Sequence, residues 1–423
     1  MFKKLFSSSL FRSMGVYTTS NFINMAIPFF LMPIMTRYMS PEDYGITAMF
    51  QVITGFLAPF IGLGMQDAIN RKYFDRDRID LPKYIANCLM IVAITAVIAS
   101  FTLYFFSNQI SKIAFFPQEW LWGTWVVAIG QFLVSLVLGL WQVQFKSILY
   151  SIYQVVMTLA NMVLSLWFIV GLDLKWQGRL EAQILVVVVF GLLGLFILYR
   201  QGWMNFTFDY GYAKDALKFG LPLVPHALGG IIMTMTDRIF ITTMVGITDT
   251  GLYSVGAQIG MVIALIEGAF GTAWGPWLFE RLKRDDTDKT KSTIVKMTYL
   301  YFIGLFILTI GLSMIAPWFL SFFIGEKFVG AGKFVFWIAL GNAFGGMFRI
   351  VALYIVYVEK THILATITFV SAGLYTISNY LFISWHGSLG AAQSFAFIKF
   401  VFLVLTWILS NRVFQMPWMI LKK

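Results

Sequence analysis

Three charged side chains stand inside long apolar stretches of the chain, where they could bind an ion or an anionic group. Glu267, Arg349 and Lys399 each lie well within a run of hydrophobic residues. A charge within a membrane-spanning helix costs about 2.5–3.5 kcal/mol on insertion scales and is a functional candidate by default. We expect all three to line an internal cavity. Glu267 could instead pair with one cation and only lock two helices together, but the second cation would still attract anions.

Uncharged polar side chains in the same stretches could donate or accept hydrogen bonds. Within a membrane such groups either join helices or line a cavity, and the sequence leaves both roles open. Asn24 and His226 are the two that we keep as candidates for contact with a substrate. The other members of this group are Asn21, Gln131, Asn161 and Thr234.

Charged residues near the ends of the apolar stretches are more ambiguous. Arg37 and Arg71 lie where a basic side chain commonly anchors the membrane interface, although Arg37 could also contribute to an anion site. The neighbours Asp237 and Arg238 could form a local ion pair at the end of their stretch.

Patterns typical of enzymes are poor in this sequence. The three histidines, His226, His362 and His386, lie on separate segments, without the four-residue spacing of a helical metal site. A single cysteine, Cys88, excludes an internal disulfide framework and a cysteine-cluster metal site. No glycine-rich phosphate loop ending in Lys-Ser/Thr occurs, which argues against an ATP-driven pump. We expect no cofactor and no metal.

The composition places these residues in a membrane. The chain has 423 residues, of which 59% are hydrophobic and 12% are charged, with a mean hydropathy of +0.78. Soluble proteins are about 25% charged, so this chain cannot cover several soluble domains with polar surface. Because a helix needs about 20 apolar residues to cross the hydrocarbon core, we predict an all-α polytopic protein. Its twelve predicted transmembrane helices are 12–36, 42–66, 83–106, 119–144, 147–171, 177–200, 214–240, 250–280, 293–323, 332–358, 360–384 and 388–411.

Basic residues predict the orientation of these helices. With the N-terminus inside, 22 of the 31 Lys and Arg residues fall in inner segments and seven in outer ones, Arg179 among the outer set. This excess predicts cytoplasmic N- and C-termini and a multi-pass protein of the inner (plasma) membrane. Contacts with anionic headgroups then explain the net charge of +11, so we expect a lipid bilayer and no nucleic acid as partner.

A faint internal repeat suggests how the helices are grouped. A shift of 206 residues aligns 36–64 with 242–270, with six identities in 29 positions. An offset of six helices gives two halves of the same orientation, a parallel repeat of the kind that transporters use. We therefore predict two six-helix lobes, 1–206 and 207–423, related by a parallel pseudo-two-fold axis.

Several motifs resemble one family of membrane proteins. The run NMAIPFFLMPIMTRYMSPEDYG over 24–45 resembles the opening of the Wzx-type polysaccharide-unit flippases, in the multidrug/oligosaccharidyl-lipid/polysaccharide exporter superfamily. LKFGLPLVPHAL over 217–228 is similar to the seventh-helix signature of that family, and DRIFI over 237–241 and GLYSVG over 251–256 continue it.

The resemblance implies a flippase that works by alternating access. Its substrate would be a polyprenyl-pyrophosphate-linked oligosaccharide repeat unit for O-antigen or exopolysaccharide biosynthesis. The flippase would move this unit from the cytoplasmic to the outer leaflet. Its partners could include a polysaccharide polymerase complex. Arg349 and Lys399 would attract the pyrophosphate, with Arg37 a weaker candidate. Glu267 would bind a coupling ion or balance a cation.

Two other functions stay open from the sequence. A multidrug or cation antiporter of the same superfamily should carry acidic residues in its cavity, whereas the intramembrane surplus here is basic. A membrane-embedded polysaccharide-pathway enzyme, such as a polymerase, should have a large outer loop, and the outer connections near 107–118 and 324–332 are short. An acyltransferase could use one histidine, but no neighbouring motif supports it.

Overall fold

The chain folds into α-helices joined by short connections. The structure is a computed structural model that describes residues 9–285 and 287–418, and this part contains no β-strand. Short 3₁₀ or π turns extend several helices, for example Trp167–Gly171 and Leu320–Ile324. The helices are α1 Ser9–Tyr38, α2 Pro41–Gly62, α3 Met65–Lys72, α4 Leu81–Ala114, α5 Leu121–Val143, α6 Ser147–Leu166, α7 Lys175–Arg200, α8 Tyr210–Gly220, α9 Leu223–Met244, α10 Ile247–Gly260, α11 Val262–Arg284, α12 Asp288–Phe319, α13 Gly332–Tyr357, α14 Thr361–His386 and α15 Ser388–Val413.

The helices coincide with the predicted membrane spans. Among the described residues, ten helical stretches are long and apolar enough to cross a membrane. Helices α1 and α14 occupy the first and eleventh predicted segments, so helix is found at every predicted place. The prediction of an all-α polytopic membrane protein is confirmed, while the count of twelve crossings and the pseudo-two-fold relation stay predictions.

Two of the predicted segments are interrupted. The segment 214–240 breaks between α8 and α9 at Pro222, as expected for a residue without a backbone N–H. The segment 250–280 breaks at Met261, where α10 ends and α11 begins. No proline marks this second break, which the apolar pattern alone could not predict.

Large apolar side chains cover the surface of the long helices. On α4, the side chains of Ile94, Ile98 and Phe101 are all more than half exposed. A soluble monomer rarely exposes so much contiguous apolar surface. In a membrane these side chains face the acyl chains, so their exposure supports the assignment of these helices as spans.

Contacts divide the chain into two compact units. The first unit ends at Ile231 and the second begins at Ile232, within α9. Helix α8 packs against α3 and α4 and therefore belongs with the first unit. The predicted lobes 1–206 and 207–423 are defined by the order of six helices in each half, not by contacts, and they stay a prediction.

In the first unit, α2 begins after a capping residue, Ser40. The Ser40 hydroxyl accepts a hydrogen bond from the backbone N–H of Asp43 (3.1 Å), and the Asp43 carboxylate accepts one from the backbone N–H of Ser40 (2.7 Å). This reciprocal capping box satisfies two backbone donors that would otherwise lack partners at the start of α2.

Polar contacts fasten the loop before α8 to α4. The Lys83 ammonium donates to the Asp209 carboxylate at 2.9 Å, and the Asn87 amide donates to the carbonyl of Thr207, also at 2.9 Å. The hydrogen bond from Lys83, aided by one from the backbone N–H of Tyr212, lowers the pKa of Asp209 below its ordinary value. The contribution of Asp209 to stability is therefore present at neutral pH and is lost as the pH falls through this lowered pKa.

Helix α13 is the central helix of the second unit. It packs against α10, α11, α12 and α15. Phe334, Met347 and Tyr354, which are spread along its length, are all buried. Because α13 is surrounded in this way, a charged residue on it must either find a partner on a neighbouring helix or reach a polar opening.

A close backbone approach joins α8 to the end of α2. A Cβ atom added to Gly220 would lie 2.1 Å from the carbonyl oxygen of Leu63, and one added to Gly64 would lie 2.9 Å from the carbonyl oxygen of Gly220. Gly64 also has a φ of +68°, which favours glycine. The two chain segments can meet here only because neither glycine has a side chain.

We expect Gly220→Ala to destabilise the protein by about 1–3 kcal/mol, because the new methyl group overlaps backbone that cannot rotate away. Gly229→Ala is the control, since a Cβ at Gly229 meets no described atom within 4 Å beyond its neighbours in its own helix. The measurement is the thermal unfolding of both purified variants in detergent. Equal melting temperatures for Gly220→Ala and the wild type would contradict the assigned packing.

Candidate functional site

An ion pair lies within the second unit between α11 and α13. Arg349 Nη2 donates to Glu267 Oε1 at 3.0 Å. The Glu267 side chain is 7% exposed and the Arg349 side chain 50% exposed. Glu267 Oε2 is buried and has no hydrogen-bond partner in the described part of the chain. The pair therefore combines a buried acid with a guanidinium that keeps half of its surface free.

Glycines on both helices make room for this pair. A Cβ at Gly271 would lie 2.9 Å from Arg349 Cδ, so the arginine side chain runs across the backbone of α11. A Cβ at Gly346 would lie 2.8 Å from Glu267 Cβ and 2.9 Å from the hydroxyl of Tyr301. Gly271, Gly346 and Tyr301 could not be singled out from the sequence, because only the packing of α11, α12 and α13 brings them to the charged residues.

Lys399 completes the cluster from α15. It is close enough to interact electrostatically with both Glu267 and Arg349, and its Nζ lies 5.5 Å from the centroid of the Phe395 ring. The three intramembrane charges predicted from the sequence are thus brought together, although they are far apart along the chain. Two cations face one carboxylate, which leaves a positive surplus.

An aromatic cavity adjoins this charged cluster. Its volume is about 460 Å³, within the range of small-molecule sites. The ring of Tyr301 stacks on Phe270 with centroids 4.1 Å apart, and the buried Tyr301 hydroxyl has no hydrogen-bond partner among the residues that the structure describes. The lining residues are Phe270, Ala273, Trp274, Trp277, Met297, Leu300 and Tyr301.

The other predicted site residues lie in the first unit. Asn24 and Arg37 are both on α1, about 20 Å apart at 1.5 Å per residue. Both amide atoms of Asn24 are buried without a described hydrogen-bond partner, whereas Arg37 is exposed at the end of the helix. The structure therefore does not bring Asn24 and Arg37 together.

His226 lies in a different place in the first unit. Its side chain is exposed and lines a cavity of about 390 Å³. Gln131 of α5 lines the same cavity, as do Gln66 and Asp67 of the α3 region. Two polar residues that the sequence analysis left open between helix contact and cavity lining, His226 and Gln131, thus share one cavity.

Arg179 lies near the start of α7, inside the predicted helix 177–200, and its Nη1 donates to Asn161 Oδ1 and to Ser165 Oγ of α6. These hydrogen bonds join α7 to α6, which the sequence alone did not reveal. The assignment of Arg179 to the outer set stays a prediction.

The predicted ion pair between Asp237 and Arg238 is confirmed. Arg238 Nη1 lies 3.2 Å from Asp237 Oδ1, and the Tyr253 hydroxyl of α10 donates to Asp237 Oδ2. Asp237 is only 4% exposed. These contacts satisfy a buried carboxylate and fasten α9 to α10.

Comparison with known proteins assigns the family. Residues 10–282 match the model of a family described as "Polysaccharide biosynthesis protein". The chain belongs to this family. An uncharacterized membrane protein of Haemophilus influenzae is 26% identical over 381 residues, covering 87% of this chain and 89% of that protein. The succinoglycan biosynthesis transport protein ExoT of Rhizobium meliloti is 21% identical over 288 residues, 64% of this chain and 55% of ExoT.

Solved structures share the fold. The lipid II flippase MurJ in an inward closed conformation has a TM-score of 0.74 at 13% identity, covering 93% of this chain and 87% of MurJ. An inward-facing multidrug resistance transporter of the MATE family has a TM-score of 0.65 at 17% identity, covering 92% and 94%. The chain is therefore a multi-pass membrane protein with a fold like that of MurJ and the MATE transporter.

We expect the pair to be energetically coupled, with Arg349→Gln more destabilising than Glu267→Gln. Loss of the arginine leaves a buried carboxylate without its hydrogen-bonding partner, whereas the half-exposed arginine can be solvated without Glu267. In the double variant the loss should be smaller than the sum, by about 0.5–3 kcal/mol.

The melting temperatures of the three variants measure this coupling. The exposed pair Glu280 and Arg284, also on α11 and 3.3 Å apart, is the matched control and should show little coupling. Additive losses at Glu267 and Arg349 would contradict the expected interaction.

Proposed function

We propose that this protein is a flippase for polyprenyl-pyrophosphate-linked oligosaccharide repeat units. It moves each unit from the cytoplasmic to the outer leaflet by alternating access, for the biosynthesis of O-antigen or an exopolysaccharide. The observation that carries the proposal is the family match over residues 10–282, combined with the basic cluster inside a membrane-embedded unit. The names of two similar proteins support it, since one is a lipid II flippase and the other a succinoglycan biosynthesis transport protein.

The physical problem of such a substrate fits a protein with polar groups inside the membrane. Each sugar hydroxyl that enters hydrocarbon without a partner costs a few kcal/mol, so an oligosaccharide cannot cross lipid unaided. The polyprenyl chain has no such barrier and can stay in the bilayer. A flippase therefore needs a polar route for the headgroup only.

The charged cluster supplies cations for the pyrophosphate. Arg349 keeps half of its side chain exposed although it pairs with Glu267, so it can bind a second anion. A guanidinium presents several N–H donors in a planar fork that matches phosphate oxygens, and Lys399 adds a second positive charge nearby. Arg37, Asn24 and His226 are proposed as weaker contacts in the first unit.

The membrane potential could provide the driving force. Two negative charges that move outward across an inside-negative potential of 100 mV gain about 4.6 kcal/mol. Glu267 then has one of two roles: it binds a coupling proton, or it balances a neighbouring cation. The buried Oε2 atom of Glu267 has no partner among the described residues, which is compatible with both roles.

Location and partners follow from the same proposal. The excess of basic residues in the predicted inner segments supports an inner-membrane protein with cytoplasmic termini. A polysaccharide polymerase is the expected neighbour on the outer side, because it would consume the translocated units.

A multidrug or cation antiporter is the second candidate, since its fold is shared. The positive surplus around Glu267 disfavours a cationic cargo. An enzyme of the same pathway is the third candidate, and the transporters among the similar structures do not favour it.

We expect Arg349→Ala and Lys399→Ala to reduce translocation roughly 10- to 100-fold, because each removes a charged interaction worth about 1.5–3 kcal/mol. Protein level should change much less. Arg412→Ala is the control, since Arg412 is exposed at the end of the same helix as Lys399.

The measurement compares a deletion strain complemented with each variant. Surface polysaccharide should be lost in the deletion strain while lipid-linked units accumulate on the cytoplasmic leaflet. Normal translocation in both alanine variants would reject the assigned residues. Normal export in the deletion strain would reject the function.

Glu267→Gln distinguishes the two roles of the acid. If Glu267 carries a coupling proton, the variant should lose any dependence of translocation on the pH gradient across the membrane, because glutamine cannot titrate. The test measures translocation in vesicles with and without an imposed gradient. A dependence that survives in the variant assigns Glu267 to charge balance alone.

A further inference from the structure

Helix α6 carries a polar stripe along its whole length. Its polar side chains recur at alternating intervals of three and four residues, within an arc of about 80° at 100° per residue. From the first to the last they span about 21 Å, most of the hydrocarbon thickness of a bilayer. The members are Ser151, Gln154, Thr158, Asn161 and Ser165.

The opposite face of α6 is apolar and exposed. Ile152, Val156, Leu159 and Val163 on this face have between 40% and 58% of their surface accessible. In a membrane this face contacts the acyl chains. The polar stripe must therefore point into the first unit.

Helix α1, which packs against α6, carries further buried polar groups. Five buried atoms on these two helices have no hydrogen-bond partner among the described residues. They are Ser20 Oγ, Asn24 Nδ2, Asn24 Oδ1, Ser151 Oγ and Gln154 Oε1. If the stripe served only to join α1 to α6, these donors and acceptors should be paired with one another.

Arg179 stands at one end of the stripe. It donates to Asn161 and Ser165, and in the described part of the chain it makes no ion pair with a carboxylate. Both of these hydrogen bonds start from Nη1, and none from Nε or Nη2 is found among residues 9–285 and 287–418. A guanidinium held only by neutral oxygens is suited to bind a further oxygen-rich group.

We propose that the stripe of α6, with Ser20 and Asn24 of α1 and with Arg179 of α7, is the track along which the saccharide of the substrate is hydrogen-bonded during translocation. This inference rests on the proposed function and assigns the sugar contacts within the first unit. Side-chain hydroxyls and amides both donate and accept, as sugar hydroxyls do, so their regular spacing offers successive equivalent sites. Arg179 binds saccharide oxygens at the end of the track.

The accessibility of the stripe to water tests the first requirement. Cys88 is the sole cysteine of the sequence and is buried, so Cys88→Ala provides a background without thiols. Ser151→Cys and Thr158→Cys probe the stripe, while Ile152→Cys and Val156→Cys probe the lipid face. The probe is a charged, membrane-impermeant methanethiosulfonate. The stripe thiols should react and the lipid-facing thiols should not; equally unreactive stripe thiols would overturn the track.

Export by leucine variants tests contact with the saccharide. Gln154→Leu and Asn161→Leu should lower surface polysaccharide at unchanged protein level, and Leu159→Met on the lipid face is the matched control. Wild-type export by both leucine variants would overturn the track and leave the proposed function standing. A deletion strain that accumulates no lipid-linked units would overturn both.

Asn161→Asp separates a binding role from a structural one. The new carboxylate would pair with Arg179 and strengthen the link between α6 and α7, so a purely structural role predicts normal export and an unchanged or higher melting temperature. The track predicts reduced export at that same stability, because the guanidinium is then occupied. Normal export by Asn161→Asp would remove Arg179 from the proposal.

Discussion

The constraint that a buried polar group needs a partner governs this molecule. In hydrocarbon no water can satisfy a charge or an amide, so each such group must be paired, reach an opening, or bind a ligand. Glu267 follows this rule through Arg349, and Asp237 follows it through Arg238 and Tyr253. Helix packing, the glycines beside the charges and the candidate sites all follow from the ways in which the chain meets this demand.

The two units satisfy their buried polar groups in different ways. In the second unit, charges from α11, α13 and α15 are concentrated in one cluster next to an aromatic cavity. In the first unit, neutral polar groups are spread along α6 and α1, and Arg179 donates to the end of the α6 stripe. A concentrated charge suits a phosphate, and a distributed neutral surface suits a sugar. A substrate that contains both a phosphate and a sugar requires both kinds of site. The shared fold does not by itself provide either site.

The sequence predicted the features that depend on the cost of charge in lipid. Glu267, Arg349 and Lys399 stood out because each interrupts an apolar run. The choice of Arg349 as partner for Glu267 depends on how closely α11 and α13 approach, and only the fold defines this. The contacts of Arg179 with Asn161 and Ser165 depend in the same way on how α6 and α7 pack. The polar stripe on α6 could have been found in the sequence, because its residues recur every three or four positions. Of these residues, only Asn161 was recognised from the sequence.

The glycine contact between α8 and the end of α2 has a mechanical consequence. Two backbones that touch without intervening side chains can rotate about their point of contact, but they cannot slide past each other without steric overlap. The same helix α8 is also linked to α3 through the ion pair of Lys72 and Asp215. These contacts favour rotation of α8 about the crossing at Gly220 over sliding along the end of α2.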